Sequence, residues 1–154
     1  MKSREKRLVG LLKKKGWTIT TAESCTGGLI ACDIISVSGA SKVIEGAFVT
    51  YSDEMKAREL GVSPKSIERH SAVSSEVAAE MALGARAKTG ANVAVSTTGY
   101  AGPHGDQVGL VYICICVGSL ARTYRFIFDG DRQRIRRLAA NTAISLVIKE
   151  IGNR

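Results

Sequence analysis

The sequence lacks any uninterrupted apolar run long enough to cross a membrane. A membrane-spanning helix needs roughly 18 or more apolar residues, whereas the longest runs here have the length of strands. The basic N-terminus is followed by an apolar patch at residues 8–12, which Gly10 interrupts and which is too short for a secretory signal. Its spacing is typical of an amphipathic helix. We therefore expect a soluble protein with no membrane partner.

Cysteine and histidine are scarce, and neither forms a ligand pattern. The four cysteines include no CxxC pair, and the two histidines, His70 and His104, form no HExxH or other spaced set. Without a secretion signal, a disulfide framework is not expected either. We predict reduced thiols, a cytoplasmic location, no metal site and no cofactor.

Aromatic residues make up only 5% of the chain, whereas positive charge is abundant, with a formal net charge of +8. Basic charge without a recognised nucleic-acid motif gives only salt-sensitive, sequence-blind binding, so we expect no specific nucleic-acid partner. Residues 2–15 carry part of the charge and are best interpreted as a solvated helix face. For the second cluster, phosphate binding and solvated surface both remain open. Its arginines are Arg122, Arg125, Arg132, Arg134, Arg136 and Arg137.

Helices alternate with buried strands along the whole chain, with no linker, repeat or low-complexity tract. The pattern predicts one domain over residues 1–154 with an α/β fold. We expect a three-layer α/β/α sandwich around a mixed, mostly parallel sheet of about five strands. Strands near residues 108–117 and 122–128, joined at Gly118-Ser119, predict a hairpin that supplies one antiparallel strand.

The remaining elements define three loops at one edge of the sheet. Ligands of such sheets bind beyond the carboxyl ends of the strands. The expected loops are residues 22–28, 51–56 and 98–107. They follow from strands predicted at 17–21, 43–51 and 92–97. The predicted helices cover 29–37, begin at Ser52 or Asp53 and at Ser63-Pro64, run from Ser74 or Ser75 to Gly90, and begin again at Arg132.

The first loop runs from Ala22 to Gly28 and leads into a helix. Ser24 could attack a carbonyl carbon there, because backbone N–H groups at a helix start favour developing negative charge and glycines allow close approach. Two alternatives remain open. Ser24 or Thr26 could simply cap the helix, and Cys25 could be the nucleophile, although no histidine partner can be assigned to it.

A serine nucleophile needs a base, and neither histidine has a convincing partner arrangement. Lys56 lies one turn into the helix after Tyr51, so both side chains could point toward Ser24. A partly desolvated lysine can act as a base. The competing interpretation is an ordinary solvated helix lysine.

The third loop, from Thr97 to Gly105, is rich in glycine and other small residues. It is neither a dinucleotide-binding loop nor a Walker loop, because the glycine spacing differs from both. It is long for a tight turn, which favours a cradle for a phosphate or a carboxamide.

These residues resemble one known family, the C-terminal domain of CinA proteins together with the stand-alone nicotinamide-nucleotide amidases called PncC. The resemblance covers nearly the whole chain, and its order and spacing are specific. Its elements are Ala22 to Gly28, Ser38-Gly39-Ala40-Ser41, Tyr51-Ser52 with Lys56, Leu60-Gly61-Val62, Thr98-Gly99 with Ala101-Gly102-Pro103, and Gly130-Asp131-Arg132.

The resemblance implies a metal-independent hydrolase that converts nicotinamide mononucleotide into nicotinate mononucleotide and ammonia, and it implies a homo-oligomer. By the same resemblance Ser24 is the nucleophile, Lys56 is the base, and Tyr51 and Thr98 are supporting hydrogen-bonding groups. Arg132 would hold the substrate phosphate, which a guanidinium binds with two parallel hydrogen bonds. The other expected substrate-binding residues are Thr26, Gly27, Gly28, Gly99 and Gly102.

One loop departs from the family pattern. Residues 105–107 run straight into Val108-Gly109-Leu110-Val111 without a further glycine pair, and Leu110 stands where the family has threonine. The chain would also be a stand-alone form without the N-terminal domain of full-length CinA proteins. The sequence therefore allows a second function, a catalytically silent nucleotide-binding paralogue. The intact Ser24, Tyr51, Lys56 and Thr98 favour catalysis.

Overall fold

The computed structural model describes residues 3–154 as a five-stranded sheet with helices on both faces. Every predicted element is present. In chain order they are α1 (Arg4–Lys15), β1 (Ile19–Glu23), α2 (Leu29–Ile35), a 3₁₀ turn (Ala40–Lys42), β2 (Ile44–Val49), α3 (Asp53–Leu60), α4 (Pro64–His70), α5 (Ser75–Thr89), β3 (Val93–Gly99), β4 (Leu110–Val117), β5 (Leu120–Ile127) and α6 (Arg132–Gly152).

The sheet has the strand order β2-β1-β3-β4-β5. Strand β1 pairs in parallel with β2 and β3, and β4 pairs antiparallel with β3 and β5. Four strands therefore share one direction and β4 alone is reversed, which confirms the predicted mixed, mostly parallel sheet. Strand β1 is buried along its whole length, as expected for a central strand that is covered on both faces.

The helices form two layers. Helices α1, α2 and α6 pack together on one face of the sheet, while α5 covers the other face with α3 and α4 against it. The larger core lies on the first face, where Leu8, Ile30 and Ile144 are fully buried with Ile113 of β4. No helix within residues 3–154 has both the length and the apolarity needed to span a membrane.

Several boundaries differ from the prediction, and hydrogen bonds explain the differences. Strand β1 begins at Ile19, two residues late, because the N–H of Trp17 closes α1 on Leu12 (3.0 Å) and that of Thr18 binds the Asn92 side chain (2.8 Å). The strand also ends later than predicted, at Glu23. Strand β2 ends at Val49. Ser24 directly follows the end of β1.

The helix starts follow the predicted capping residues. Ser52 accepts the N–H of Met55 at 3.1 Å, and Ser74 rather than Ser75 caps α5, accepting the N–H of Val77 at 3.2 Å. These caps satisfy backbone donors that a helix start otherwise leaves without partners. The cap at Ser52 brings the first turn of α3 close to the end of β2 and so determines where Lys56 lies.

Two helical glycines give a matched test of packing. A Cβ on Gly84 of α5 would overlap the backbone carbonyl of Leu60, whereas a Cβ on Gly10 of α1 would meet nothing within 4 Å. We expect Gly84→Ala to lower the free energy of unfolding by about 1–3 kcal/mol. Gly10→Ala should raise it by about 0.5–1 kcal/mol, because alanine loses less backbone entropy on folding. Urea denaturation of both variants checks this; equal effects of the two would contradict the close approach of α5 and α3.

Candidate active site

A pocket of about 230 Å³ lies beyond the carboxyl ends of β1, β2 and β3. All three predicted loops contribute to it, together with residues 72 and 73, which sequence reasoning missed. A larger groove of about 800 Å³ lies between α3 and α4, but neither Ser24 nor Lys56 lines it, so it is not the candidate site. The pocket wall consists of Ser24, Cys25, Tyr51, Asp53, Lys56, Ala72, Val73, Thr98, Gly99, Tyr100, Ala101, His104 and Arg132.

Ser24 and Lys56 form a direct contact in this pocket. The Lys56 Nζ lies 3.0 Å from the Ser24 Oγ, 3.0 Å from the Thr50 carbonyl oxygen and 3.3 Å from that of Tyr51. Although it lies on a short helix, Lys56 is only 2% exposed. Burial lowers the pKa of Lys56, while the charge of Asp53 opposes this effect. The solvated interpretation of Lys56 is therefore wrong, because the side chain points inward from α3.

The three acceptors around Lys56 define its chemistry. A neutral amine has two N–H groups and one lone pair, whereas an ammonium group has three donors and no lone pair. When Lys56 is neutral, the carbonyls of Thr50 and Tyr51 can accept both N–H groups. The lone pair is then directed toward the Ser24 hydroxyl, which is the arrangement that proton removal requires.

The start of α2 is not free to bind a substrate anion. The carboxylate of Glu23 accepts the N–H groups of Gly28 (3.2 Å), Ile30 (3.0 Å) and Ala31 (3.1 Å). The expectation that these helix amides would receive negative charge on the substrate is wrong, because a side chain of the protein already occupies them. Glu23 is fully buried. Sequence reasoning missed its role, since no local pattern shows where a carboxylate at a strand end will fold.

Thr26, Gly27 and Gly28 do not reach the pocket wall. The Thr26 hydroxyl is fully buried, donating to Glu23 Oε1 at 2.7 Å and lying 2.8 Å from the Thr97 Oγ1. Both glycines adopt a positive φ in the turn. These three residues therefore shape the Ser24 turn, and their side chains or Cα atoms do not line the pocket.

The backbone N–H groups of the Ser24 turn have different partners. The Ser24 N–H donates to the Thr97 carbonyl at 3.0 Å and the Gly27 N–H to the Ser24 carbonyl at 3.1 Å. Within residues 3–154, no backbone carbonyl accepts the N–H of Cys25, and Cys25 lines the pocket. The Cys25 amide directly follows Ser24, which is where one donor for an oxyanion is found beside nucleophilic serines.

Tyr51 and Arg132 meet at the mouth of the pocket. Arg132 donates to the Tyr51 hydroxyl at 2.9 Å and to the Gly102 carbonyl at 2.6 Å. The Tyr51 side chain is 62% exposed, and it is the Tyr51 carbonyl that contacts Lys56. Gly102 is thus linked to the site through its carbonyl and does not line the pocket.

Thr98 and Gly99 border the pocket from β3. The Thr98 hydroxyl donates to the Ala72 carbonyl at 2.7 Å, so in this structure it supports the segment before α5 rather than Ser24 or Lys56. A Cβ on Gly99 would lie 2.6 Å from the Leu110 carbonyl oxygen, which shows why β4 can approach so closely. Both residues line the wall as the sequence predicted.

Cys25 also lines the pocket, but its thiol is not poised to react. Burial raises the pKa of Cys25 to about 11, and the charge of Glu23 adds to this effect. Since the thiolate is the reactive form of cysteine, little of it is present near neutral pH. The raised pKa of Cys25, together with the Lys56 contact to the Ser24 hydroxyl, therefore favours Ser24 over Cys25 as the nucleophile.

The arginines of residues 122–137 have different partners. Arg132 alone among them lines the pocket. Arg136 binds the carbonyls of Cys25 and Thr26, Arg137 pairs with Asp33 at 2.7 Å, and Arg122 pairs with Glu150 at 3.2 Å. Phosphate binding therefore remains open for Arg132. No cluster of three or more metal-ligating side chains occurs in the part of the chain that the structure describes.

The combination of the Ser24 turn, Tyr51 with Lys56, and the Thr98 loop at one sheet edge agrees with the family resemblance of the sequence. The CinA C-terminal domain profile matches residues 1–151. The chain belongs to the CinA C-terminal domain family. A CinA-like protein of Geobacter sp. (strain M21) is 46% identical over 143 residues, and the match covers 90% of this chain and 34% of that protein. A CinA-like protein of Kosmotoga olearia is 43% identical over 149 residues, covering 94% of this chain and 36% of that protein.

Solved structures of CinA-family proteins confirm the fold. A CinA superfamily protein from Klebsiella pneumoniae superimposes with a TM-score of 0.95 at 30% identity, covering 99% of this chain and 100% of that one. A competence/damage inducible protein from Agrobacterium tumefaciens gives a TM-score of 0.92 at 35% identity, covering 95% and 92%. The chain spans little more than a third of the length of the curated relatives that it matches.

Proposed function

We propose that this CinA-family chain is an amidohydrolase that converts nicotinamide mononucleotide into nicotinate mononucleotide and ammonia, with Ser24 as the nucleophile and Lys56 as the base. The buried contact of 3.0 Å between Lys56 Nζ and Ser24 Oγ is the observation that carries this proposal. A lysine with a lowered pKa beside a serine hydroxyl is an arrangement suited to nucleophilic catalysis.

The reaction proceeds through an ester of Ser24. Neutral Lys56 removes the hydroxyl proton as the Ser24 oxygen attacks the carboxamide carbon, and the backbone N–H of Cys25 stabilises the resulting oxyanion. The Lys56 ammonium group then donates its proton to the leaving nitrogen, and ammonia departs. A water molecule, deprotonated by Lys56, then attacks the ester carbon. The Lys56 ammonium group returns that proton to the departing Ser24 oxygen, and the acid product ionises to the carboxylate.

Arg132 is the proposed binding group for the substrate phosphate. Its guanidinium now donates to two neutral oxygens, those of Tyr51 and Gly102. A phosphate would replace these bonds by charge-assisted ones, which are roughly twice as strong. In this proposal the released Tyr51 hydroxyl becomes available to the bound nucleotide. We further propose, from the family resemblance, a cytoplasmic homo-oligomer that needs neither nucleic acid nor a membrane.

A second candidate function is nucleotide binding without turnover. The short loop at residues 103–109 favours it, because six of those residues are exposed and little of the loop covers the pocket. Such a paralogue would keep the Arg132 contact and lose the closed surroundings that chemistry in a dry site requires.

Ammonia release from nicotinamide mononucleotide by the purified chain, with chelator present, tests the proposal. Chromatographic detection of nicotinate mononucleotide in equal amount would identify the product. Nicotinamide riboside, which lacks the phosphate, is the matched control and should give a kcat/KM lower by about 10²-fold or more, the loss expected for a charge-assisted contact. Folded protein that binds the mononucleotide without turnover would support the silent paralogue instead.

A further inference from the structure

The turn that carries Ser24 is held from the inside by Glu23. Besides the three backbone N–H groups of α2, the buried carboxylate accepts the hydroxyls of Thr21 (3.0 Å) and Thr26 (2.7 Å). Five donors thus surround one carboxylate that is closed off from solvent. Because a buried charge is costly unless it is fully hydrogen-bonded, this arrangement admits little displacement of the turn.

Arg136 of α6 holds the same turn from the outside. Its Nε donates to the Cys25 carbonyl at 2.9 Å, its Nη2 to the Thr26 carbonyl at 3.2 Å, and its Nη1 to the Gln133 side chain at 3.0 Å. Gly27 allows this approach, since a Cβ there would lie 3.0 Å from the Arg136 Nη2. Every nitrogen of the guanidinium is therefore engaged within the protein.

Peptide geometry connects Arg136 to the reacting group. In a trans peptide the C=O and the following N–H point in opposite directions. By holding the Thr26 carbonyl, Arg136 also determines the direction of the Gly27 N–H, which donates to the Ser24 carbonyl at 3.1 Å. Arg136 itself does not line the pocket, so any effect on the reaction must pass through the turn.

We propose that Arg136 is a positioning residue that, with Glu23 on the opposite side, sets the orientation of Ser24 and of the Cys25 N–H that follows it. This inference rests on the proposed nucleophilic role of Ser24. It distinguishes Arg136 from a phosphate-binding arginine, since loss of Arg136 should lower kcat and leave KM for the nucleotide nearly unchanged.

Three variants test the inference. Arg136→Met should lower kcat by about 10- to 100-fold, the scale of a misplaced reacting group, with KM within about threefold of wild type. Arg136→Lys should restore part of the loss, because an ammonium group can hold one of the two carbonyls. Arg137→Met is the matched control, since it removes the neighbouring arginine and its bond to Asp33 without touching the turn, and it should retain kcat within about twofold.

A second readout separates this inference from the proposed substrate. The rate at which a fluorophosphonate probe labels Ser24 reports the nucleophile without any nicotinamide compound, and it should fall in parallel in Arg136→Met and in Glu23→Gln. If wild type is labelled but releases no ammonia, the proposed function fails while the labelling rates still decide the role of Arg136. Wild-type kcat and labelling in folded Arg136→Met, a change confined to KM, or an unlabelled wild-type Ser24 would each overturn the inference.

Discussion

Replacing Ser24 with alanine should abolish the deamidation of nicotinamide mononucleotide, lowering kcat by on the order of 10⁴-fold or more. The variant loses the oxygen that forms the ester, and no other side chain of the pocket can replace it at neutral pH. Its fold should be retained, because Ser24 is small and its backbone N–H bond to Thr97 does not involve the side chain. Ammonia release under single-turnover conditions measures the effect.

Cys25→Ala is the matched control for the nucleophile. The Cys25 thiol has a pKa raised to about 11 by burial, so its removal should change kcat by less than about tenfold. A result in the opposite order, with an active Ser24→Ala and an inactive Cys25→Ala, would show that the pocket uses a thiol and that the serine assignment is wrong.

Replacing Lys56 with methionine should lower kcat by about 10²- to 10⁴-fold, the usual contribution of a general base. Methionine fills a similar volume but leaves the carbonyls of Thr50 and Tyr51 without the Lys56 donor, so the variant should fold with a free energy of unfolding lower by about 1–3 kcal/mol. Lys56→Arg is the informative partner, since a guanidinium keeps its proton and cannot act as a base. Substantial activity in Lys56→Arg would contradict the proposed role of Lys56.

The lowered pKa of Lys56 also predicts the sign of two pH effects. Because the neutral amine is the active form, kcat/KM should rise with pH and level off below the pKa of an ordinary lysine. Between the lowered pKa of the folded state and the ordinary value of the unfolded chain, the folded state binds fewer protons. The stability contribution of Lys56 therefore increases as pH rises through that window, and Lys56→Met should lack this increase.

The Ser24 turn shows how far sequence reasoning reached. The position of Ser24 between a strand and a helix followed from local pattern, and so did its predicted neighbours Tyr51 and Lys56. The local pattern did not reveal that Glu23 accepts the α2 amides, because this depends on the direction in which its side chain points toward three later residues. The Arg136 contact joins residues that are 111 positions apart, and no local pattern relates them.

The sequence by itself determined the order of the elements, the mixed sheet and the three loops at the strand ends, because periodicity, capping residues and chain order are local properties. The family followed from the resemblance of its motifs to those of CinA C-terminal domains. Only the tertiary structure decided that Lys56 is buried against Ser24, that Glu23 occupies the start of α2, and that a single arginine of the C-terminal cluster lines the pocket. Each of those outcomes depends on desolvation and on distances between groups from separate elements, and these quantities exist only once the chain has folded.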